Sequence, residues 1–266
     1  MDNHKKGGCV ISNYHFEVKN VSRGKSGSIT RRVSYILGKK LRDNYLCQGC
    51  YHNRDDVLFG RVFLPRAAPS DYGNLQALCD AIDKAEHRYD ARTAKEFIGA
   101  LPNELSVDEI VKIVTEFIRE NFTERGLAAI AAIHEGHNSA DISRNNPHVH
   151  ILVTTRTLNL NGFSRKKLRE LDQKKNVGMW REHWAQLQNR AYERNGLEIR
   201  VSHESLEVQG IKREPLPHLP CIDFQREKHG ERTEAGDRKR EVLKKNKRLL
   251  EKGQQRDIEH EHSMMR

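Results

Sequence analysis

Residues 131–156 read AAIHEGHNSADISRNNPHVHILVTTR, and this stretch decides both the fold and the chemistry. After Pro147 the run HVHILVTT is rich in β-branched residues and reads as a strand. Side chains two apart on a strand share a face. His148, His150, Leu152 and Thr154 therefore lie on one face, and Val149, Ile151 and Val153 on the other, which is expected to be the core face. Upstream, GLAAIAAIH (126–134) is a second apolar strand that ends on His134. If the two strands pair across the intervening loop, His134 joins His148 and His150. Three imidazoles hold a divalent cation and leave coordination positions open, as catalytic sites do and closed structural sites do not. A lone histidine is more often a surface or hydrogen-bonded core residue. A His-x-His pair directly after a loop, with a third histidine ending the preceding strand, favours metal. His137 lies in the loop itself and has no assigned role.

Working outward, the 266 residues are enough for one large domain with an appendage or for two small domains. A net charge of +10 and a pI near 9.4 point to a polyanionic partner, nucleic acid first and an anionic membrane second. No apolar run is long enough to span a bilayer, which argues against membrane insertion. The start, MDNHKKGGCVISNY, lacks the apolar core of a signal peptide. Five cysteines are an odd number for a closed disulfide framework and fit a reducing cytoplasm.

The pattern predicts a flexible leader over 1–12, a main domain over 13–222 and a charged basic tail over 223–266. Within the domain, 14–21 alternates as a first strand, SRGKSGS is a loop, and 29–41 has helical spacing. Residues 42–74 read as irregular and 75–100 as mostly helical. Ser106 followed by Glu109 marks a helix start. Residues 177–195 form a helix bearing Trp180 and Trp184 and closed by Gly196. LEIRVS is a short strand, and Pro215, Pro217 and Pro220 break structure. The tail, with its cluster RKREVLKKNKR, reads as a solvated helix or a disordered segment.

On the helix starting at Ile29, the residues Ile29, Val33 and Ile36 form one apolar stripe. Tyr35 lies off that stripe, on the side of Ser28, Arg31, Arg32 and Lys39. A phenol among cations is a competent nucleophile toward phosphorus, because the cations favour phenolate and hold phosphate. Helix geometry alone leaves open the plainer reading, that Tyr35 is one of seven tyrosines and packs by its ring.

Four segments together resemble a known family. They are YHFEVKNVSRGKSGSITRRVSYILGKK (14–40), RTAKEFIGALPNEL (92–105), the His-bearing stretch above, and RVSHESLEVQG (200–210). In this order they resemble the MobA/MobL plasmid mobilisation relaxases, within the His-hydrophobe-His endonucleases. The most specific piece is NPHVHIL preceded by His134 at the family's loop spacing. The resemblance implies an α+β fold with a central antiparallel β-sheet flanked by helices, the metal on the sheet, and the nucleophilic tyrosine on an N-terminal helix folded over it. By position, Tyr35 matches the nucleophile, and His134, His148 and His150 match the metal ligands. Glu96 matches an acidic residue kept close to the site, and Asp141 a position in the loop. Read as a helix-surface residue, Glu96 would instead pair with Arg92. Arg156 follows the strand, as a phosphate contact or a plain surface arginine.

The implied activity is nicking of one DNA strand at a transfer origin by metal-assisted tyrosine transesterification. It leaves a 5′-phosphotyrosyl adduct that later rejoins the strand. Mg²⁺ or Mn²⁺ is the expected ion, and Arg31, Arg32 and Lys39 are expected to hold flanking phosphates. The expected partners are single-stranded DNA, relaxosome accessory proteins and a conjugative coupling protein, in a bacterial cytoplasm with a plasmid-encoded gene. The alternatives are a rolling-circle initiator or transposase with the same chemistry, or a non-catalytic nucleic-acid-binding protein with structural histidines. The sequence departs from the family's usual pattern in its longer leader, in Thr30-Arg31-Arg32-Val33, and in CQGCYHNR (47–54). In that last segment Cys47, Cys50 and His52 are a weak zinc candidate without an evident fourth ligand.

Overall fold

The two apolar runs that end and begin on histidine lie side by side inside one sheet. The structure, a computed structural model, describes residues 10–11, 14–26, 28–136, 145–217 and 219–264. His137 and Asp141 lie outside the described residues, as does most of the expected leader. The chain divides into two compact units, Met1–His203 and Glu204–Arg266. The sequence places the boundary later, after the prolines.

The first unit runs β1 (Val10–Ile11), β2 (Phe16–Ser22), α1 (Arg23–Ser26), α2 (Ile29–Leu37), β3 (Leu41–Asp43), β4 (Gln48–Cys50), β5 (Val57–Phe63), α3 (Leu75–Ala85), β6 (Arg92–Ala100) and α4 (Val107–Asn121). It continues with β7 (Ala129–His134), β8 (His148–Thr154), β9 (Leu158–Asn159), β10 (Gly162–Phe163), α5 (Lys174–Arg194) and β11 (Ile199–Arg200). Five strands form the central sheet in the order β2-β6-β8-β7-β5, antiparallel throughout.

Both faces of this sheet are covered, which explains why β7 and β8 read as nearly continuous apolar runs. On one face Phe97, Val149, Ile151 and Val153 join Phe117 of α4 and Trp180 and Trp184 of α5 in one core. On the other, Ile130, Ala132 and Leu152 join Ile29, Val33 and Ile36 of α2 and Leu78 and Ile82 of α3 in a second core. The histidine-bearing face is therefore itself a core face, with the imidazoles at one end of it.

Three local expectations are corrected. Residues 75–100 are helical only as far as Ala85, and 92–100 is a sheet strand. Its alanines, lysine and glutamate suit a helix, but β6 lies between β2 and β8, and pairing on both sides outweighs local propensity. Residues 42–74 are not irregular, since they hold the β3–β4 hairpin and the edge strand β5. The tyrosine helix stops at Leu37 rather than Leu41, because Gly38 takes a left-handed φ of 61° that suits glycine and ends the helix. In addition, Val10–Ile11 pair in parallel with Ile199–Arg200, so the end of the expected leader is a strand.

The helix start at Ser106 was readable. Ser106 accepts from the Glu109 amide and caps α4, and Ser28 accepts from the Arg31 amide and caps α2. The second unit holds α6 (Cys221–Lys228) and α7 (Glu234–Met264), so the tail is helical. Within it, Asn246 of α7 exchanges two 2.8 Å hydrogen bonds with the backbone of Glu214.

Candidate active site

Register brings the histidines together. His134 pairs directly with His148 across β7 and β8, and His150 sits opposite Ala132 and, on the other side, Ile98. Residues two apart share a face, so His148 and His150 point the same way, toward α2. The three ring centroids lie 5.0 to 5.3 Å apart. One nitrogen from each ring falls within 4.8 Å of the others.

Hydrogen bonds fix which nitrogen that is. The His134 ring lies fully buried, with Nε2 2.7 Å from the Ile36 carbonyl of α2. A carbonyl only accepts, so Nε2 carries the proton and Nδ1 the lone pair. That Nδ1 is buried without a hydrogen-bond partner. His148 Nδ1 lies 2.8 Å from the Asn146 carbonyl, and His150 Nδ1 lies 2.8 Å from Glu96 Oε1. By the same logic both donate from Nδ1 and keep the Nε2 lone pair. Each imidazole thus has one nitrogen fixed by an acceptor and one free, the arrangement that orients histidine for metal. A buried lone pair with nothing to bind is costly in an apolar setting, and a divalent ion would satisfy it. The donor set fits such an ion.

Electrostatics keep the donors ready. Burial, with the nearby cationic Arg54 and other imidazoles, outweighs the Ile36 carbonyl and pulls the His134 pKa down to about 4. Burial lowers that of His148 as well. Both rings are therefore neutral at neutral pH, the state that ligates. Burial alone would raise the Glu96 pKa, but hydrogen bonds from His150 and Arg32 and their charges prevail and hold it below the usual carboxylate range.

Glu96 is on β6 opposite Leu152, two residues along from His150, and is only 4 % exposed. Diagonal neighbours on a sheet face are within reach of a long side chain. The helix-surface reading, in which it pairs with Arg92, does not hold, since Arg92 pairs with Asp172. Glu96 accepts instead from His150 and from Arg32 of α2, whose Nε lies 3.2 Å away. A single carboxylate thus joins the helix to the sheet.

Tyr35 is one residue before Ile36, the carbonyl partner of His134, and is 41 % exposed. Its ring is not core packing. The guanidinium carbons of Arg32 and Arg54 each lie 5.2 Å from its centroid, and the His52 ring stands edge-on at 5.4 Å. Arg31 and Lys39 are exposed on the same helix and just beyond its end. Arg156 is not brought to this site. It follows the far end of β8, roughly 20 Å from His150 at strand spacing, and is tied to Glu86 at 2.7 Å.

Among the described residues, Cys47, Cys50 and His52 do not gather their ligand atoms, and the three-residue ligand group is His134, His148 and His150. Two residues escaped the sequence reading. Arg54 and Asp56 form a two-armed pair at 2.8 and 2.7 Å between Tyr35 and His134. They lie in a segment read as irregular, and no spacing rule links 54 to 35.

A family model described as "MobA/MobL family" matches residues 27–229. "Probable mobilization protein MobA" of Bifidobacterium longum (strain NCC 2705) is 29% identical, over 88% of this chain and 47% of its own length. "Mobilization protein A" of Escherichia coli is 30% identical, over 94% of this chain and 35% of its own length. The chain thus spans less than half the length of these curated relatives. A solved structure described as "Molecular Basis of Vancomycin Resistance Transfer in Staphylococcus aureus" is 27% identical, with a TM-score of 0.65 over 73% of this chain and 100% of that one. No helix among the described residues is long and apolar enough to cross a membrane.

Proposed function

Because the chain belongs to the MobA/MobL family, we propose that it is a DNA relaxase. It nicks one strand at a plasmid transfer origin, stays covalently attached, and later rejoins the strand for conjugative mobilisation. The observation that carries this reading is the exposed, cation-flanked Tyr35 on a helix whose next carbonyl orients His134, one of three histidines with free lone pairs.

His134 Nδ1, His148 Nε2 and His150 Nε2 would hold a divalent ion, Mg²⁺ or Mn²⁺. When bound, such an ion supplies positive charge to the oxygens of the scissile phosphate. Glu96 orients His150 by accepting from its Nδ1, which leaves Nε2 turned toward the ion. The Tyr35 oxygen gives up its proton and bonds to phosphorus, and the bond from phosphorus to the 3′-oxygen breaks. The 3′-oxygen leaves with the electron pair and is protonated. The 5′ end remains esterified to Tyr35, and reversal of the same step rejoins the strand. Arg31, Arg32 and Lys39 flank the path with positive charge. The basic segment 223–266 adds salt-sensitive affinity without sequence preference. Single-stranded DNA at the origin is the substrate, with relaxosome proteins and a coupling protein as the partners in transfer.

The test is a denaturing gel of the protein with Mn²⁺ and single-stranded oligonucleotides carrying candidate transfer origins. A protein–DNA adduct formed by the parent and absent from Tyr35→Phe supports the reading. An adduct that survives the substitution rejects Tyr35 as the nucleophile, and cleavage without any adduct indicates a hydrolytic nuclease.

A further inference from the structure

Tyr35 lies between two guanidinium groups, and the proposed mechanism uses only one of them as an anchored group. Arg32 is held by Glu96, which also holds His150. Arg54 is held by both oxygens of Asp56, at 2.8 and 2.7 Å. The carbonyl of Asp56 accepts from the Glu135 amide at 2.8 Å, and Val57 pairs with His134 at the edge of the sheet. The backbone of Arg54 is pressed against the end of α2. A Cβ on Gly38 would meet Arg54 Cβ at 3.1 Å and its carbonyl at 3.3 Å. The fold therefore brings Arg54 to the tyrosine by backbone contact and fixes its side chain with a dedicated carboxylate.

Resting on the functional reading above, we infer that Arg54 is a further catalytic residue. Its guanidinium lies over the Tyr35 ring and stabilises the phenolate as it forms, while Asp56 is the positioning residue that aims it. Three observations agree. The guanidinium carbon lies 5.2 Å from the ring centroid, within cation–π range. Among the influences that raise the Arg54 pKa, Asp56 comes first, and the Tyr35 hydroxyl contributes by both charge and hydrogen bonding. Arg54 is also partly buried, with a side chain 18% exposed, so its charge is screened less than that of Arg31 or Lys39 on the open surface. The titratable and charged groups around Tyr35 are Arg32 from its own helix, and His52 and Arg54 from the segment before β5, with Asp56 behind Arg54. In the step itself the Tyr35 oxygen loses a proton to solvent base and bonds to phosphorus, the bond to the 3′-oxygen breaks, and Arg54 keeps its proton throughout.

The test compares the parent, Tyr35→Phe, Arg54→Gln, Arg54→Lys and Asp56→Asn by single-turnover nicking at neutral pH. Fluorescence anisotropy with the same oligonucleotide and circular dichroism are run alongside. Removing one fixed stabiliser of developing negative charge is expected to slow nicking by roughly 10²-fold or more near neutrality. Arg54→Lys retains the charge and is expected to recover part of the rate that Arg54→Gln loses. Asp56→Asn leaves Arg54 unaimed and gives a smaller loss in the same direction, and it decides the matter if Arg54→Gln fails to fold. A parent-like rate in Arg54→Gln, or no recovery in Arg54→Lys, overturns the inference while leaving the relaxase reading intact, provided that Tyr35→Phe is inactive. An adduct formed by Tyr35→Phe withdraws both.

Discussion

Removing the Glu96 carboxylate is expected to weaken metal binding and stability together, because one buried group serves two partners. Glu96→Ala leaves the His150 Nδ1–H without its acceptor at 2.8 Å and Arg32 without its counter-charge. The His150 side chain is 10% exposed, so its freed donor has little access to water and costs about 1–3 kcal/mol. Stranding a fully buried charge costs about 3–5 kcal/mol. Arg32 is 24% exposed and can turn toward solvent, which removes most of that second cost. The total is roughly 2–4 kcal/mol. Free of Glu96, His150 also loses the constraint that keeps its lone pair on Nε2, and loss of such a partner typically costs 10–100-fold in metal affinity. Glu96→Gln separates the two effects. Its amide oxygen can still accept from His150, but it brings no charge to Arg32, so affinity falls less than in Glu96→Ala. Calorimetric titration with Mn²⁺ at neutral pH and urea unfolding of the metal-free protein measure the two quantities. Parent-like Mn²⁺ affinity in Glu96→Ala, with stability within about 0.5 kcal/mol, would falsify the role assigned here to Glu96.

Two further outcomes follow from the same geometry. The His134 pKa is held at about 4 in the folded protein against an ordinary 6.5, so between those values the unfolded chain binds more protons. The metal-free protein should therefore lose roughly 2–3 kcal/mol as pH falls from 6.5 to 4, and urea unfolding of His134→Asn across that window should show a flatter slope. Gly99→Ala would place a Cβ 2.8 Å from two carbons of the Trp184 ring, which lies fully buried against β6. Overpacking of this kind costs about 1–3 kcal/mol, and thermal unfolding followed by tryptophan fluorescence should show a lowered midpoint, whereas an unchanged midpoint would mean that the ring yields freely.

The sequence by itself determined the parts that depend on local pattern. β7 and β8 were legible because helices cover both faces of the sheet, which makes their apolar runs nearly continuous. His148 and His150 were placed on one face by the period of a strand, and His134 joined them because consecutive strands pair. The cap at Ser106 and the off-stripe position of Tyr35 were readable for the same reason, since each is set by residues a few positions away. Tertiary structure decided the rest. Glu96 reads as a helix residue by composition, and it meets His150 only because β6 is hydrogen-bonded on both sides. The tautomers of the three histidines rest on the carbonyls of Ile36 and Asn146 and the carboxylate of Glu96, and backbone carbonyls leave no trace in residue identity. Arg54 and Asp56 reach Tyr35 and His134 only because the end of α2 abuts the segment before β5. Arg156, read as a phosphate contact or a plain surface arginine, lies beyond the opposite end of β8 and pairs with Glu86. Local periodicity fixes which way a side chain points; the packing of α2 across the sheet fixes what it meets.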